Sequence, residues 1–256
     1  MSNFEGKKAL IVGVANKYSI AWAIAKNLYE KGVTLGFTFQ DERFERRVSE
    51  LIKDINYDFL YPCNVASDEQ VENLFSNIKE KWGDFDILVH SLAFTNTNSL
   101  KNRFIETKRA DFKECFDISV YSLISLSKYA EPLMNKESSI ITLTYYGSQK
   151  VMPNYKIMGV AKSALESTVR YLAYDLGVKK IRINAISAGA IKTLASSAVI
   201  GDFKDLTKQI EEKSPLHENI TADDVANLAT FLASSESKHI TGSTIYVDSG
   251  MNIIGL

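Results

Sequence analysis

The amino-acid sequence predicts a single α/β domain built on a doubly wound parallel sheet. Three observations lead there. Short β-rich apolar runs alternate along the chain with stretches of helical period. The runs lack the polar–apolar alternation of a half-wet strand, so they suit strands covered by helices on both faces. No repeat, low-complexity tract or long linker divides the 256 residues, and α/β chains of this length are often one domain.

Residues 8–14 form the first apolar run and end at Gly13 and Val14. Residues 19–31 then read as a helix, with Ile20, Ala23, Ile24 and Leu28 on one stripe and Gly32 as its stop. Residues 33–39 are the second strand, followed by Phe44, Val48, Leu51, Ile52 and Ile55 at helical spacing. A shorter strand covers 59–61, and Val71, Leu74, Phe75, Ile78 and Trp82 mark the next helix. Strands at 86–90, 139–144 and 181–186 alternate with helices at 110–133 and 154–176. Thr221-Ala222-Asp223-Asp224 resembles a capping box at the start of a further helix, and 244–247 is the last strand. Such alternation implies right-handed βαβ crossovers and a Rossmann-type sheet spanning residues 1–256. The weakly periodic stretch from 187 to 220 is the longest, and long loops in compact domains are usually functional; a lid over about 190–220 is expected.

Composition excludes several classes. Thirty Lys and Arg stand against 31 Asp and Glu, for a net charge of -1, without the chain-wide positive field of a nucleic-acid binder. Cys63 and Cys115 are too few for a disulfide framework and read as reduced core thiols of a cytoplasmic protein. His90, His217 and His239 are scattered, without metal-ligand spacing. No apolar run approaches the ~18 residues of a membrane span, and the polar N-terminus does not read as a signal peptide.

Ligands of a doubly wound sheet bind beyond the carboxyl ends of the strands, with phosphate at the first helix N-terminus. The turn there, Gly13-Val14-Ala15-Asn16-Lys17-Tyr18-Ser19-Ile20-Ala21, carries one glycine rather than three. Ser19 offers a hydroxyl and a backbone N–H to a pyrophosphate, although an ordinary turn with an N-cap serine would read the same. After the second strand, Gln40 suits a ribose hydroxyl, and Asp41 and Glu42 would repel a 2′-phosphate. That favours NADH over NADPH, with Arg43, Arg46 and Arg47 as the counter-indication. Acids are also favoured at any helix start.

Tyr155 and Lys162 stand seven residues apart, about two helical turns, on one face of the helix expected at 154–176. A phenol beside an ammonium group suits stabilisation of an oxyanion, with the lysine lowering the phenol pKa. A core tyrosine and a surface lysine would show the same spacing.

Several segments together carry a resemblance: Gly13 to Ala21, Phe37 to Gln40, His90 to Phe94, Asp117 to Ser122, Leu143 to Gly147, Asn154 to Lys162, Arg182 to Gly189 and Val247 to Gly250. On these the chain resembles the short-chain dehydrogenase/reductase superfamily, and within it the bacterial NADH-dependent enoyl-acyl-carrier-protein reductases of type II fatty acid synthesis. Ordinary members of the superfamily use Tyr-x-x-x-Lys. Here Met158 stands four before Lys162, the tyrosine lies one turn earlier, and Tyr145 lies ten before that, which is the enoyl reductase variant.

The resemblance implies hydride transfer from NADH to C3 of a trans-2-enoyl thioester on acyl carrier protein. Tyr155 would hydrogen-bond the thioester oxygen, Lys162 would hold the nicotinamide ribose, and Tyr145 would line the pocket. It implies cofactor contacts from Gly13, Ser19, Ile20, Gln40, Asn64, Val65, Leu92, Ile191, Thr193, Leu194 and Ala195. Thr95, Met158, Val199 and Phe203 take acyl-pocket or lid positions, and Tyr146 packs. Asn64 stands where relatives usually have an aspartate toward adenine, Ala190 where they have proline, and Thr95 where they often have alanine. A homotetramer is implied, with helices 110–133 and 154–176 and the apolar C-terminus 250–256 between subunits. Acidic acyl carrier protein would seek Lys192, Lys204 and Lys208, though Asp202 and Asp205 dilute that patch. A carbonyl or alcohol oxidoreductase is the alternative within the superfamily; a non-catalytic dinucleotide-binding regulator is the alternative outside catalysis.

Overall fold

The structure, a computed structural model, describes residues 4–193 and 203–255, with the backbone alone for 203–206. Its strands are β1 (Lys8–Val12), β2 (Thr34–Phe39), β3 (Phe59–Pro62), β4 (Phe85–His90), β5 (Met134–Thr144), β6 (Arg182–Ala188) and β7 (Thr244–Val247). They form one parallel sheet in the order β3-β2-β1-β4-β5-β6-β7. The helices are α1 (Ile20–Glu30), α2 (Glu42–Ile52), α3 (Asp68–Trp82), α4 (Thr97–Lys101), α5 (Arg109–Phe116), α6 (Ser122–Ala130), α7 (Ile157–Leu176), α8 (Phe203–Lys213) and α9 (Ala222–Ala233).

The absence of polar alternation in the strands has its reason in two cores. Ala9 and Ile11 of β1 pack with Ile24 and Leu28 of α1 and with Val225 and Leu232 of α9. Leu10 and Val12 point the other way, into Leu74 and Ile78 of α3, Leu126 of α6 and Leu165 of α7. Both faces of β1 are therefore dry. The capping box at the head of α9 is formed, with Thr221 and Asp224 exchanging side-chain and backbone hydrogen bonds.

Two expected elements differ. The helix expected over 110–133 is α5 and α6 joined by a π turn at Asp117–Tyr121, and it stops at Ala130. One inserted residue widens the turn, and Pro132 disfavours helix at the residue before it. Strand β5 then begins at Met134, five residues before its expected start, and shifts register against β4 between Phe85 and Ile87. The second difference concerns α7. It begins at Ile157, so Tyr155 lies in the turn before the helix rather than on its face.

β1 is flanked by β2 on one side and β4 on the other, so the winding direction reverses there. The crevice above that reversal is where such sheets bind ligands.

Candidate active site

The β1–α1 turn is built for close approach. Gly13 has φ +107, and a Cβ there would lie 2.1 Å from the Ser91 carbonyl oxygen. Only glycine lets the turn pass against the end of β4. The Ser19 hydroxyl accepts hydrogen bonds from Ala15 N–H and Asn16 N–H, both at 3.1 Å, and keeps its own proton to donate. The Ser19 backbone N–H, expected to face a pyrophosphate, instead donates to Asn16 O at 3.1 Å. No side chain caps α1; Trp22 N–H is taken by Ser19 O at 3.0 Å, and the N–H groups of Ile20 and Ala21 point outward with the positive end of the helix. This cradle fits a dinucleotide phosphate with one glycine and one serine.

The remaining expected cofactor residues follow the carboxyl ends of the strands. Gln40 is exposed after β2. Asn64 and buried Val65 follow β3, and half-buried Leu92 follows β4. Ile191, packed on the α1 side of the sheet, and Thr193 follow β6. Asp41 caps α2 by accepting from Arg43 N–H at 2.9 Å and Phe44 N–H at 3.2 Å, and it holds the Arg43 guanidinium at 3.3 Å. The helix-start reading of Asp41 therefore holds, and it also ties up one of the arginines that could meet a 2′-phosphate. Leu194, Ala195 and Val199 lie outside the described residues, and Phe203 opens α8.

Tyr155 is placed by its turn. Asn154 and Lys156 both have positive φ, +64 and +45, and Tyr155 N–H donates to Met152 O at 3.1 Å. Its ring meets the Tyr145 ring edge-on, with centroids 4.9 Å apart. Two glycines make the room: a Cβ on Gly147 would stand 2.5 Å from the Tyr155 ring, and one on Gly159 would stand 2.6 Å from the Gly147 carbonyl oxygen. Neither was singled out from the sequence, where Gly147 reads as an ordinary turn after a strand and Gly159 as a helix residue.

Lys162 is buried on α7 and donates to Leu143 O at 2.7 Å, two residues before Tyr145 on β5. Burial lowers its pKa to about 8, against the partial support of Cys115 and Glu166. Burial also pushes the Tyr155 phenol well above its ordinary value, with Tyr145 and Cys115 adding to the shift. The expectation that Lys162 lowers the phenol pKa is thus not met: desolvation raises it, and Tyr155 stays a proton donor throughout the neutral range.

Behind this pair lies a buried network the sequence did not disclose. His90 ends β4, fully buried, with Nδ1 2.8 Å from Thr142 Oγ1 and Nε2 2.9 Å from Ser122 Oγ. Ser122 spends its only proton on Ile118 O at 2.6 Å. It must therefore accept from His90 Nε2–H, and Thr142 must donate to Nδ1. The imidazole is neutral, its pKa lowered to about 3 by burial and by Lys162. In the π turn, Ser119 accepts from Phe94 N–H at 3.0 Å and donates to Phe94 O at 3.1 Å, fixing the loop that carries Thr95.

The expected acyl-pocket residues divide. Met158 packs in a cluster with Cys115, Val120 and Tyr155, and its sulfur lies 3.6 Å from the Cys115 thiol. The Thr95 hydroxyl is buried and faces the Cys115 thiol. On the other side of Tyr145 a mainly apolar cleft is lined by Met152, Ala190, Ile210, Ile220 and Met251. Of these, only Ala190 stood out in the sequence. Tyr146 packs as expected, edge-on to Tyr246 at 6.5 Å. Both cysteines are free and buried, and burial pushes the Cys63 thiol up to about 12. Among the described residues no cluster of His, Cys, Asp and Glu could hold a metal ion.

Comparison with known proteins agrees with this geometry. The family profile described as enoyl-(acyl carrier protein) reductase matches residues 13–252. The chain is 52% identical to the enoyl-acyl-carrier-protein reductase (NADH) FabI of Rickettsia prowazekii (strain Madrid E), over 98% of this chain and 96% of that one. The Anaplasma phagocytophilum enoyl-acyl-carrier-protein reductase, solved with NAD, superposes with a TM-score of 0.94 at 44% identity, covering 100% of this chain and 97% of that one. The Bacillus cereus enoyl-acyl-carrier-protein reductase, solved with NADP+ and indole naphthyridinone, gives 0.97 at 42% identity over 100% of both chains. Gly13, Tyr145, Tyr155 and Lys162 lie within the matched residues, and the chain belongs to the enoyl-acyl-carrier-protein reductase family of short-chain dehydrogenases/reductases.

Proposed function

We propose that this protein reduces the trans-2 double bond of enoyl-acyl-carrier-protein thioesters with NADH, the last reductive step of the fatty acid elongation cycle. The observation that carries the reading is a Tyr155 phenol kept protonated by burial and set edge-on to Tyr145, with buried Lys162 anchored to Leu143 O two residues before that tyrosine. NADH, when bound, supplies the hydride that reaches C3 of the substrate.

The negative charge that then builds on the thioester oxygen is met by the Tyr155 O–H, a donor held in a desolvated site where such a hydrogen bond is strongest. Lys162 has three N–H donors, of which Leu143 O takes one; the others are available to ribose hydroxyls. Gly13, Ser19 and Ile20 hold the pyrophosphate, and Gln40 the adenosine ribose. Asn64, Val65, Leu92, Ile191, Thr193, Leu194 and Ala195 complete the cofactor site. Tyr145 orients the thioester, its ring fixed against Tyr155. Thr95, Met158, Val199 and Phe203 bound the acyl chain, beneath a lid over about 190–220.

The carbonyl or alcohol reductase reading is not favoured. Such enzymes need the phenol at position 158, which here is a buried methionine packed on Cys115. Crotonyl thioester should consume NADH and a simple ketone should not. No oxidation of NADH with any enoyl thioester, or equal rates with the ketone, would overturn the assignment.

Acyl carrier protein as the partner is supported by the family. Lys192 is exposed, whereas Lys208 is already within 3.8 Å of Glu212, so that lysine patch is weak. Assembly as a homotetramer is supported by exposed apolar side chains along α5, the π turn, α6 and α7, among them Phe112, Tyr121, Ile124, Tyr171 and Tyr174. Solution mass tests it: a monomer would refute that assembly. Among the described residues no helix is long and apolar enough to cross a membrane, and the family's place in fatty acid synthesis supports a cytoplasmic location.

A further inference from the structure

The helix that presents Lys162 also buries an acid that neither the motif nor the chemistry above uses. Glu166 follows Lys162 by four residues on α7, about one helical turn, so the two side chains leave the same face. Both are buried. A charge taken this far from water is costly unless an opposite charge or several hydrogen bonds offset it.

Strand β5 receives the two side chains at neighbouring residues. Lys162 donates to Leu143 O at 2.7 Å, and the Glu166 carboxylate accepts from the Thr144 hydroxyl at 2.7 Å. Ammonium and carboxylate are thus fixed side by side, each held by the strand rather than by the other. A direct ion pair would spend the ammonium N–H donors that ribose hydroxyls need. A counter-charge one turn away leaves them free.

The other titratable groups around the pair are neutral at neutral pH. His90, on β4, is an uncharged imidazole, and Cys115, on α5, is a thiol because burial raises its pKa. Burial also keeps protonated the phenols of Tyr155, before α7, and of Tyr246, on β7, with Glu166 adding to the shift of Tyr246. Cys115 and Glu166 both lie where a negative charge supports the Lys162 ammonium. A neutral thiol has none to give, so the support comes from Glu166.

We propose that Glu166 is a positioning residue for the reaction: its carboxylate is the buried counter-charge that holds the Lys162 ammonium ready for the cofactor ribose. It acts through Lys162 and not on the reacting atoms. The inference rests on the NADH-binding function proposed above, and its test reads affinity rather than turnover.

Fluorescence titration would give the midpoint of NADH affinity against pH in the native chain, Glu166→Gln and Glu166→Asp. The amide in Glu166→Gln fills the same volume and can still accept from Thr144, so the change removes only the charge. Its midpoint should fall about one pH unit below the native value of about 8, the scale of one charge a helical turn away. Glu166→Asp draws the charge back by one methylene, and its midpoint should lie between the other two. A role in packing alone predicts no shift. A native midpoint in either variant would overturn the inference, as would a midpoint in Glu166→Asp as low as that in Glu166→Gln. A native chain that fails to bind NADH, or binds it equally at every pH, would overturn the role of Lys162 and this inference together.

Discussion

At the scale of single residues, Lys162 and Tyr155 take their chemistry from burial more than from each other. Lys162 sits near pKa 8 because its ammonium is desolvated. Its charged form is therefore present below about pH 8 and is lost as pH rises through that value. NADH affinity should weaken severalfold between about pH 7 and pH 9. In Lys162→Ala it should be weaker at neutral pH and flat over that range. Tyr155→Phe should leave NADH affinity nearly unchanged and depress turnover, because its hydroxyl is placed for the thioester oxygen. Fluorescence titration of NADH against pH in the three chains distinguishes them. Parallel profiles in the native chain and Lys162→Ala would remove Lys162 from the cofactor site. The identities of Tyr145, Tyr155 and Lys162 were legible in the sequence as a motif. The sign of the phenol shift was not, since it depends on how much protein surrounds the hydroxyl.

Elements set the positions that the motif spacing only suggested. Seven residues between Tyr155 and Lys162 read as two turns of one helix, yet α7 starts at Ile157. The approach is made by a turn with two residues at positive φ and by two glycines that let the Tyr155 ring settle against Gly147 and Tyr145, just past β5. Gly147→Ala should lower kcat by about tenfold or more with little change in Tm. Its Cβ would stand 2.5 Å from the Tyr155 ring, and an ångström of misplacement is enough for such losses. Steady-state kinetics beside a melting curve checks this; native kcat would show that the turn tolerates the side chain. The π turn at Asp117–Tyr121 escaped the sequence for a related reason. A single inserted residue barely disturbs the apolar period on either side, yet it places Ser119 against Phe94. The end of α6 was marked by Pro132, and the helix expected over 110–133 nevertheless overran it.

Over the whole molecule, a neutral imidazole fully enclosed between β4, β5 and α6 couples the site to global stability. The folded chain refuses a proton at His90 until about pH 3, whereas the unfolded chain accepts one near 6.5. Between those values the unfolded state binds more protons, so stability falls as pH drops. For this one group the slope is about 1.4 kcal/mol per pH unit. Urea unfolding of the native chain and His90→Asn between about pH 6.5 and pH 5 should show a shallower loss in the variant. Equal slopes would mean that His90 takes up its proton without unfolding.

The sequence by itself determined the alternation of strands and helices, the doubly wound class, the Tyr-Lys pair and the glycine at the first turn. Each of these is written in local periodicity or in a residue type that its place demands. Only the tertiary structure decided the charge state of the pair, the His90 network and the cleft beside Tyr145. These depend on residues far apart in the chain, such as Ser122 and Thr142 around His90, whose meeting leaves no mark in any local pattern.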